Sequence, residues 1–199
     1  IIDIEYPSIN FNEIYEIVSN VKQSNHSSII ISTIFSSFQE NKRDINEQDI
    51  FNLDYNMNSF SSFNCMTQIT ILSSVTIIPK NCFKECSSLT QIIIPSSVKI
   101  IEKGAFENCI SIKQMTLPSY LTSIEKNTFY GCSSLEKVTI PNLVTSICDS
   151  AFKKCSSLRS IEFPSSVISI ENSAFAKCSS LTKIVLPQGL DSLNEYIFE

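Results

Sequence analysis

The sequence predicts a β-rich repeat solenoid of the α/β class, in which short parallel strands stack at a 23-residue period and short helical turns join them. Three observations support this fold. The motif Phe83–Pro95 returns in register from Phe106, Phe129, Phe152 and Phe175. Apolar and polar residues alternate before the proline of each copy, as in a strand with one buried face. The proline then ends the strand, because it has no N–H to continue a hydrogen-bonded ladder.

The apolar positions of the repeat form columns that predict the core. A unit of 23 residues cannot bury its apolar face alone, so each copy must stack on its neighbour. We expect the Phe that opens each copy to point inward, together with four further apolar columns. Their members are Leu89, Ile112, Leu135, Leu158, Leu181; Ile92, Met115, Val138, Ile161, Ile184; Ile94, Leu117, Ile140, Phe163, Leu186; and the pairs Val98/Ile101, Leu121/Ile124, Val144/Ile147, Val167/Ile170, Leu190/Leu193.

Residues 59–199 therefore form one domain of about six repeats, the last of them truncated. A degenerate copy begins at Phe60 and places Ile69, Ile71, Val75 and Ile78 in the core columns. Phe198 opens a further copy on schedule, and no C-terminal cap follows it. We expect either that the natural chain continues or that an end-to-end homodimer covers the last rung.

Residues 1–58 contain no copy of the motif in register, and we interpret them as an N-terminal cap over the first rung. Asn10 and the apolar residues from Phe11 to Val21 predict an amphipathic helix. Residues 28–38 predict a buried strand or short helix, and residues 39–49 a loop or exposed helix. The alternative is that residues 1–58 form an independent functional domain.

The pattern Leu-x-x-Ile-x-Ile at residues 89–94 is the core of a leucine-rich repeat. With the proline, Val-x-x-Ile, Ala-Phe and Phe-x-x-Cys, residues 60–199 resemble the BspA-like subclass. The few glycines, Gly104 and Gly131 within the clear copies, depart from that pattern. The resemblance implies a curved solenoid that binds other macromolecules. Members of the subclass are often surface proteins of bacteria and parasitic protists, some of which bind host matrix proteins, and cytoplasmic members also exist.

Five of the eight cysteines recur at 23-residue intervals: Cys86, Cys109, Cys132, Cys155 and Cys178. Stacked rungs would bring neighbouring Cα atoms within disulfide range, but the parallel rungs point their Cβ atoms the same way. A line of thiols also cannot surround a zinc ion. We predict free, buried thiols in this column. We expect Cys82, in a column of alanines, to be buried and Cys148, in a column of glutamates, to be the most exposed thiol.

Charge and composition argue against several classes of function. The net charge of −5 falls on residues 1–82, while residues 83–199 are neutral, so the repeats offer no basic stripe for nucleic acid. The visible chain has neither a signal peptide nor a segment for membrane insertion, and its compartment stays unassigned. The single histidine, His26, has no catalytic motif around it, and Asp44, Glu47, Asp49 and Asp54 do not match a calcium loop. We therefore expect no enzyme activity, no metal and no cofactor.

The outward residues of the strands remain as the candidate site for a protein ligand of unknown identity. They mix amides, hydroxyls and a few charges without an aromatic ring, which favours a polypeptide over a glycan. The alternative is that this expected concave face is only solvated and that the cap or the convex side binds. The function predicted is protein recognition or adhesion, at the cell surface or, alternatively, as an intracellular scaffold or cytoskeletal or signalling adaptor. The candidate residues are Gln68, Thr70, Gln91, Ile93, Lys113, Gln114, Thr116, Glu136, Lys137, Thr139, Arg159, Ser160, Glu162, Lys183 and Val185.

Overall fold

In the computed structural model the chain divides into two compact units, Ile1–Glu40 and Asn41–Glu199. The structure describes residues 67–190 and 196–199 in full, and residues 42–45 and 192–193 as backbone strands. All of these lie in the second unit. The amphipathic helix predicted from Asn10 and the predicted domain border after residue 58 lie outside the described residues, so both stay predictions.

Two series of short strands run through the second unit. The first series is β1 (Lys42–Ile45), β2 (Gln68–Ile71), β4 (Gln91–Ile93), β6 (Gln114–Thr116), β8 (Lys137–Thr139), β10 (Ser160–Glu162) and β12 (Lys183–Val185). The second series is β3 (Ile77–Ile78), β5 (Ile100–Ile101), β7 (Ser123–Ile124), β9 (Ser146–Ile147), β11 (Ser169–Ile170) and β13 (Ser192–Leu193). Each repeat thus contributes one strand to each series.

All strand pairs are parallel, and within the repeats each residue pairs with the residue 23 positions later. Gln68 lies opposite Gln91 in the first series, and Ile124 lies opposite Ile147 in the second. The predicted solenoid of parallel strands at a 23-residue period is confirmed. The second series was not predicted, because its strands are only two residues long.

Strand β1 corrects the expectation for residues 39–49. Lys42–Ile45 is neither a loop nor an exposed helix, because its backbone pairs in parallel with β2, Lys42 opposite Gln68. The offset is 26 residues instead of 23, so β1 lies beside the first rung without belonging to the repeat. Its first three residues, Lys42, Arg43 and Asp44, are all charged, so no alternation of apolar and polar residues marked it as a strand in the sequence.

The predicted core columns are buried. In the inner rungs their side chains are almost wholly inaccessible, and Ile94, Phe163, Leu181, Ile184, Leu186 and Leu190 pack partly buried against them. The opening phenylalanines form a continuous stack with ring centroids 5.2–5.7 Å apart from Phe83 to Phe175. Phe198 joins the stack at 6.3 Å from Phe175, as its position in the period predicts.

The prediction of short helical turns is wrong. The stretch that follows each strand of the second series, from β3 to β11, is a series of tandem β-turns. No helix occurs in the described part of the chain. Two residues in every turn series have left-handed backbone, for example Asn81 (φ 58°) and Glu85 (φ 63°). A left-handed residue every four positions interrupts helical hydrogen bonding before a second turn can form.

The left-handed positions also recur at 23-residue intervals. One column is Asn81, Gly104, Asn127, Ser150 and Ser173, and the other is Glu85, Asn108, Gly131, Lys154 and Lys177. At Gly104 (φ 68°) a Cβ would collide with Oδ1 of Asn81 in the preceding rung. A side chain at this position would displace the Asn81 side chain and would also adopt left-handed backbone, which glycine tolerates best.

The turns are hydrogen-bonded between rungs as regularly as the strands are. Phe83 N–H donates to the carbonyl of Ala105 at 2.8 Å, while the next N–H along, that of Lys84, closes a turn on Asn81 within the same rung at 3.0 Å. The alternation repeats in each copy, so every second N–H of the turn series binds the following rung. The backbone N–H groups of each turn series therefore find all their hydrogen-bond acceptors only when the neighbouring repeat is in place.

The phenylalanine stack leads to a prediction about stability. Phe129→Ala should lower the free energy of unfolding by about 3–5 kcal/mol, because it opens a cavity between two stacked rings in a fully buried site. Phe198→Ala is the matched control. Its side chain is 48% exposed, so the loss should be roughly 1 kcal/mol. Urea unfolding followed by circular dichroism measures both. Equal losses for the two variants would show that the stack does not support the rungs.

Candidate protein-binding face

The predicted site residues lie on one surface, the outward side of β2, β4, β6, β8, β10 and β12 with the residue preceding each strand. We call this surface the long-strand face. Of the fifteen predicted residues, Gln68, Thr70 and Glu136 are half-buried and the other twelve are exposed. The structure therefore brings all of them to one surface. Whether this surface binds a ligand remains a prediction.

The outward placement follows from the strand pattern of each repeat. In β6 the central Met115 is 5% exposed, and Gln114 and Thr116 on either side point outward. Parallel pairing in register then stacks like positions, so that Gln114 lies beside Lys137 and Thr116 beside Thr139. The outward side chains of adjacent rungs consequently form continuous columns. Within a column, neighbouring residues are about 4.8 Å apart.

Four of the charged side chains on this face form ion pairs with each other. Arg159 Nη2 lies 3.8 Å from Glu136 Oε2, and Lys183 Nζ lies 4.0 Å from Glu162 Oε1. Both pairs are long and exposed, so each contributes little to stability. Within residues 67–190, Lys113 and Lys137 form no such pair. Their ammonium groups remain available to a ligand.

A shallow trough crosses the face between β4 and β6. It has a volume of about 640 Å³ and is lined by Thr90, Gln91, Ile92, Ile93, Ile94, Lys113, Gln114 and Thr116. Ile93 is 53% exposed and gives the trough its main apolar contact. The combination of one apolar side chain with amides, hydroxyls and an ammonium group suits an extended polypeptide segment.

Sequence reasoning missed a second exposed apolar feature. Tyr120 (57% exposed) and Leu143 (50% exposed) occupy one column in adjacent rungs, at the turn that follows the proline. The same column holds Ser97 in the rung before and Ser166 in the rung after. This departure from small polar residues was the signal in the sequence, although the column lies outside the strands on which the site prediction concentrated.

The cysteine ladder is buried, as predicted, and all seven described cysteines are free. Cys82 is buried and Cys148 is the least buried of the seven, which also agrees with the prediction. Each ladder thiol after the first has a role that the sequence did not reveal. Cys109 Sγ donates a hydrogen bond to the carbonyl of Phe83 at 3.0 Å, and the thiols of the next three rungs repeat this contact.

Burial makes these thiols weak acids. It raises the pKa of Cys86 and of Cys132 to about 12, and that of Cys178 to about 11. Burial also raises the pKa of Cys109 and of Cys155 well above the usual range, with a smaller contribution from neighbouring thiols. Since the thiolate is the nucleophile and the metal ligand, this column is chemically inert at neutral pH.

Two further observations bear on metal binding and membranes. Among residues 67–190 and 196–199, no three His, Cys, Asp or Glu side chains converge on a point. The same residues include no helix long and apolar enough to cross a bilayer. His26 and most of the acidic residues considered from the sequence lie outside the described residues.

Comparison with known families agrees with the architecture. A model of the BspA type leucine-rich repeat region matches the chain with six copies, over residues 54–158 and 122–199. Among curated proteins, no sequence matches the chain significantly.

Several solved structures are similar. A leucine-rich repeat protein from Bacteroides ovatus is 32% identical with a TM-score of 0.60, and the match covers 62% of this chain and 34% of that one. A leucine-rich repeat protein from T. pallidum is 26% identical with a TM-score of 0.61, over 73% and 64% of the two chains. A leucine rich cell surface protein from Faecalibacterium prausnitzii is 29% identical with a TM-score of 0.58, over 71% and 42%. The chain spans only 34–64% of the length of these proteins.

The buried thiols predict a loss of stability at alkaline pH. The thiols of the unfolded chain ionise from about pH 8.5, whereas those of the folded chain stay protonated to about pH 11–12. The unfolded state therefore binds fewer protons in this window, and the free energy of unfolding falls as the pH rises. Each ladder thiol should contribute up to about 1.4 kcal/mol per pH unit.

The variant Cys132→Ser isolates one thiol, because a hydroxyl can also donate to the carbonyl of Phe106 but does not titrate in this range. Urea unfolding at pH 8, 9, 10 and 11 should give a slope shallower than that of the parent by about 1.4 kcal/mol per pH unit. Identical slopes in parent and variant would mean that the thiol already ionises in the folded state.

Proposed function

Because the chain belongs to the BspA-type leucine-rich repeat family, we propose that it is a non-enzymatic protein-recognition module whose long-strand face binds a polypeptide. The observation that carries the proposal is the contrast between columns. From rung to rung, each inward column stays apolar, while the columns of the long-strand face vary between amides, hydroxyls, charged and apolar side chains. One of these columns reads Gln68, Gln91, Gln114, Lys137, Ser160, Lys183. Variation on an exposed face of a regular scaffold is typical of a recognition surface.

The chemistry of the face favours a polypeptide over other ligands. Its fifteen residues include amides, hydroxyls and both signs of charge, which can hydrogen-bond a peptide backbone and its polar side chains. They include no aromatic ring on which a sugar or a base could stack. Only Ile93 and Val185 supply exposed apolar contact there, which favours a polar interface.

Two locations are compatible with such a module. Similarity to a protein described as a leucine rich cell surface protein supports adhesion or recognition at the cell surface. The free thiols of the seven described cysteines support the alternative, an intracellular scaffold or adaptor in a reducing compartment. Antibody labelling of intact cells separates the two, since an intracellular scaffold is labelled only after permeabilisation.

The end of the stack offers a second contact. Phe175, Cys178, Leu181, Ile184 and Phe198 contribute to a groove of about 420 Å³ at the last described rung. We propose that a second copy of the chain covers this groove end to end when no further repeat does. The partly buried Leu181 and Ile184 would then complete their burial across the interface.

For the long-strand face, the test uses two threonines that lie side by side. Thr116→Tyr with Thr139→Tyr places two rings on adjacent, exposed positions of β6 and β8 without changing the charge. Tyrosine is well tolerated in strands, so folding should be unaffected. The amount of partner captured from an extract of the source cell, measured by quantitative mass spectrometry, should fall at least about tenfold.

The matched control is Thr122→Tyr with Thr145→Tyr, two exposed threonines in adjacent rungs just before β7 and β9. These rings lie beside the second strand series, and partner capture should be unchanged. If instead the control pair abolishes capture and the long-strand pair does not, the binding surface lies on the other side of the solenoid.

For the end-to-end contact, sedimentation velocity over a range of concentrations should detect a dimer. Ile184→Lys should abolish it, because the charge would be buried in the interface. Val185→Lys, one residue along and pointing outward, should leave it intact. A monomer at all concentrations rules out the contact.

A further inference from the structure

The long-strand face differs in charge from the chain as a whole. The chain has a net charge of −5. The fifteen residues of the face include four cations, Lys113, Lys137, Arg159 and Lys183, against two carboxylates, Glu136 and Glu162. The face is therefore positive on an acidic protein. Such a local field attracts a ligand of opposite sign.

The excess positive charge is concentrated at one place. The two carboxylates are engaged by Arg159 and Lys183 in the ion pairs at 3.8 and 4.0 Å. Glu136 follows Lys113 in the same column, but its Oε2 atom turns to Arg159 instead. In residues 67–190, Lys113 and Lys137 thus remain as the two cations of this face that have no carboxylate partner.

These two lysines lie on either side of one amide. Lys113 precedes Gln114 in the chain, and Lys137 lies opposite Gln114 across the β6–β8 ladder. Their Cα atoms are consequently about 6 Å apart, as the strand spacing and the rise per residue require. Both side chains are exposed and outward, so the two ammonium groups can hold one carboxylate, or two neighbouring ones, with the amide of Gln114 as a further donor.

The trough between β4 and β6 adjoins this pair of cations, since Lys113 and Gln114 form one of its walls. Its apolar contact, Ile93, lies one rung from Gln114 and about 7 Å further along the strand direction, because Ile93 shares the column of Thr116, two residues after Gln114. In an extended peptide, side chains on the same face repeat at about this distance. A ligand could therefore place a carboxylate on the lysines and an apolar side chain on Ile93.

We propose that the ligand of the long-strand face is an acidic, extended polypeptide segment, whose carboxylates bind Lys113 and Lys137 and whose apolar side chain packs on Ile93. This inference rests on the proposed function and adds to it the chemical class of the partner.

A dense polyanion fits the face less well. Glu136 directly precedes Lys137 in the same rung, and Glu162 lies in the rung that follows. Both carboxylates would repel the successive charges of a sulfated glycan or a nucleic acid strand. Two uncompensated cations match one or two carboxylates. They are too few for a continuous phosphate or sulfate backbone, whose binding grows with each cation that contacts it.

The test uses fluorescein-labelled octapeptides and fluorescence anisotropy. The acidic probe is Glu-Ser-Glu-Val repeated twice, and the neutral isostere is Gln-Ser-Gln-Val repeated twice. At 50 mM NaCl the acidic probe should bind about tenfold more tightly, which corresponds to two exposed ion pairs. At 300 mM NaCl most of this difference should disappear, because the charges are screened.

The double variant Lys113→Gln/Lys137→Gln should reduce binding of the acidic probe about tenfold and leave the neutral probe unaffected. Lys99→Gln/Lys103→Gln is the matched control, since both lysines are exposed and lie outside the long-strand face. It makes the same change of net charge and should retain binding. Unfolding curves of all variants should superimpose on that of the parent.

Three results would overturn the inference: equal or undetectable binding of the two peptides, an undiminished affinity in Lys113→Gln/Lys137→Gln, or tighter binding of a heparin hexasaccharide than of the acidic peptide. The natural partner separates this failure from that of the proposed function. If Thr116→Tyr/Thr139→Tyr abolishes partner capture while Lys113→Gln/Lys137→Gln does not, the face binds a protein but not through acidic groups.

Discussion

Hydrogen bonding from one rung to the next is the constraint on which the rest of this structure depends. A rung of 23 residues leaves half of its turn N–H groups to the following rung, as Phe83 does with the carbonyl of Ala105. Its strands are two to four residues long and have no partner within the rung. Neither the backbone nor the apolar side chains of a single repeat can be satisfied alone. The interfaces between adjacent rungs therefore supply most of the stability of the solenoid. The stacked phenylalanines bury apolar surface at these same interfaces.

Hydrogen bonding between rungs also explains why cysteine and serine recur at fixed positions of the repeat. The ladder cysteines donate to carbonyls of the preceding rung, and Ser97 and Ser166 donate to the carbonyls of Val75 and Val144 at 2.8 and 2.7 Å. In the buried column a thiol provides a weak donor and apolar contact together, which a methyl group or an ionisable carboxyl could not. A column that appears reactive in the sequence is thus a structural hydrogen-bond ladder, and burial keeps its thiols protonated.

The sequence was sufficient for the features that repeat and for those that alternate. Column counting located the buried residues, the register and the outward face, because a period of 23 and an alternation of two leave little freedom. Column counting failed where the structure depends on backbone conformation and not on the apolar pattern. Asn81, Gly104 and Asn127 share a column of residues that tolerate left-handed backbone, yet the stretch was predicted as helical because its apolar spacing fits a helical turn. Strand β1 was missed because pairing at an offset of 26 lies outside the period.

The candidate site could be located from the sequence, but its charge pattern could not. Column assignments place Lys113 beside Glu136, which suggests a neutral pair, whereas the structure pairs Glu136 with Arg159. Only the side-chain geometry leaves Lys113 and Lys137 uncompensated on either side of Gln114. The regular scaffold thus fixes where each outward residue lies. Which basic residue each carboxylate pairs with then determines which positive charges stay unpaired. On this protein that pairing leaves the excess positive charge next to the trough with its exposed Ile93, which is where an acidic segment with an apolar side chain would be held.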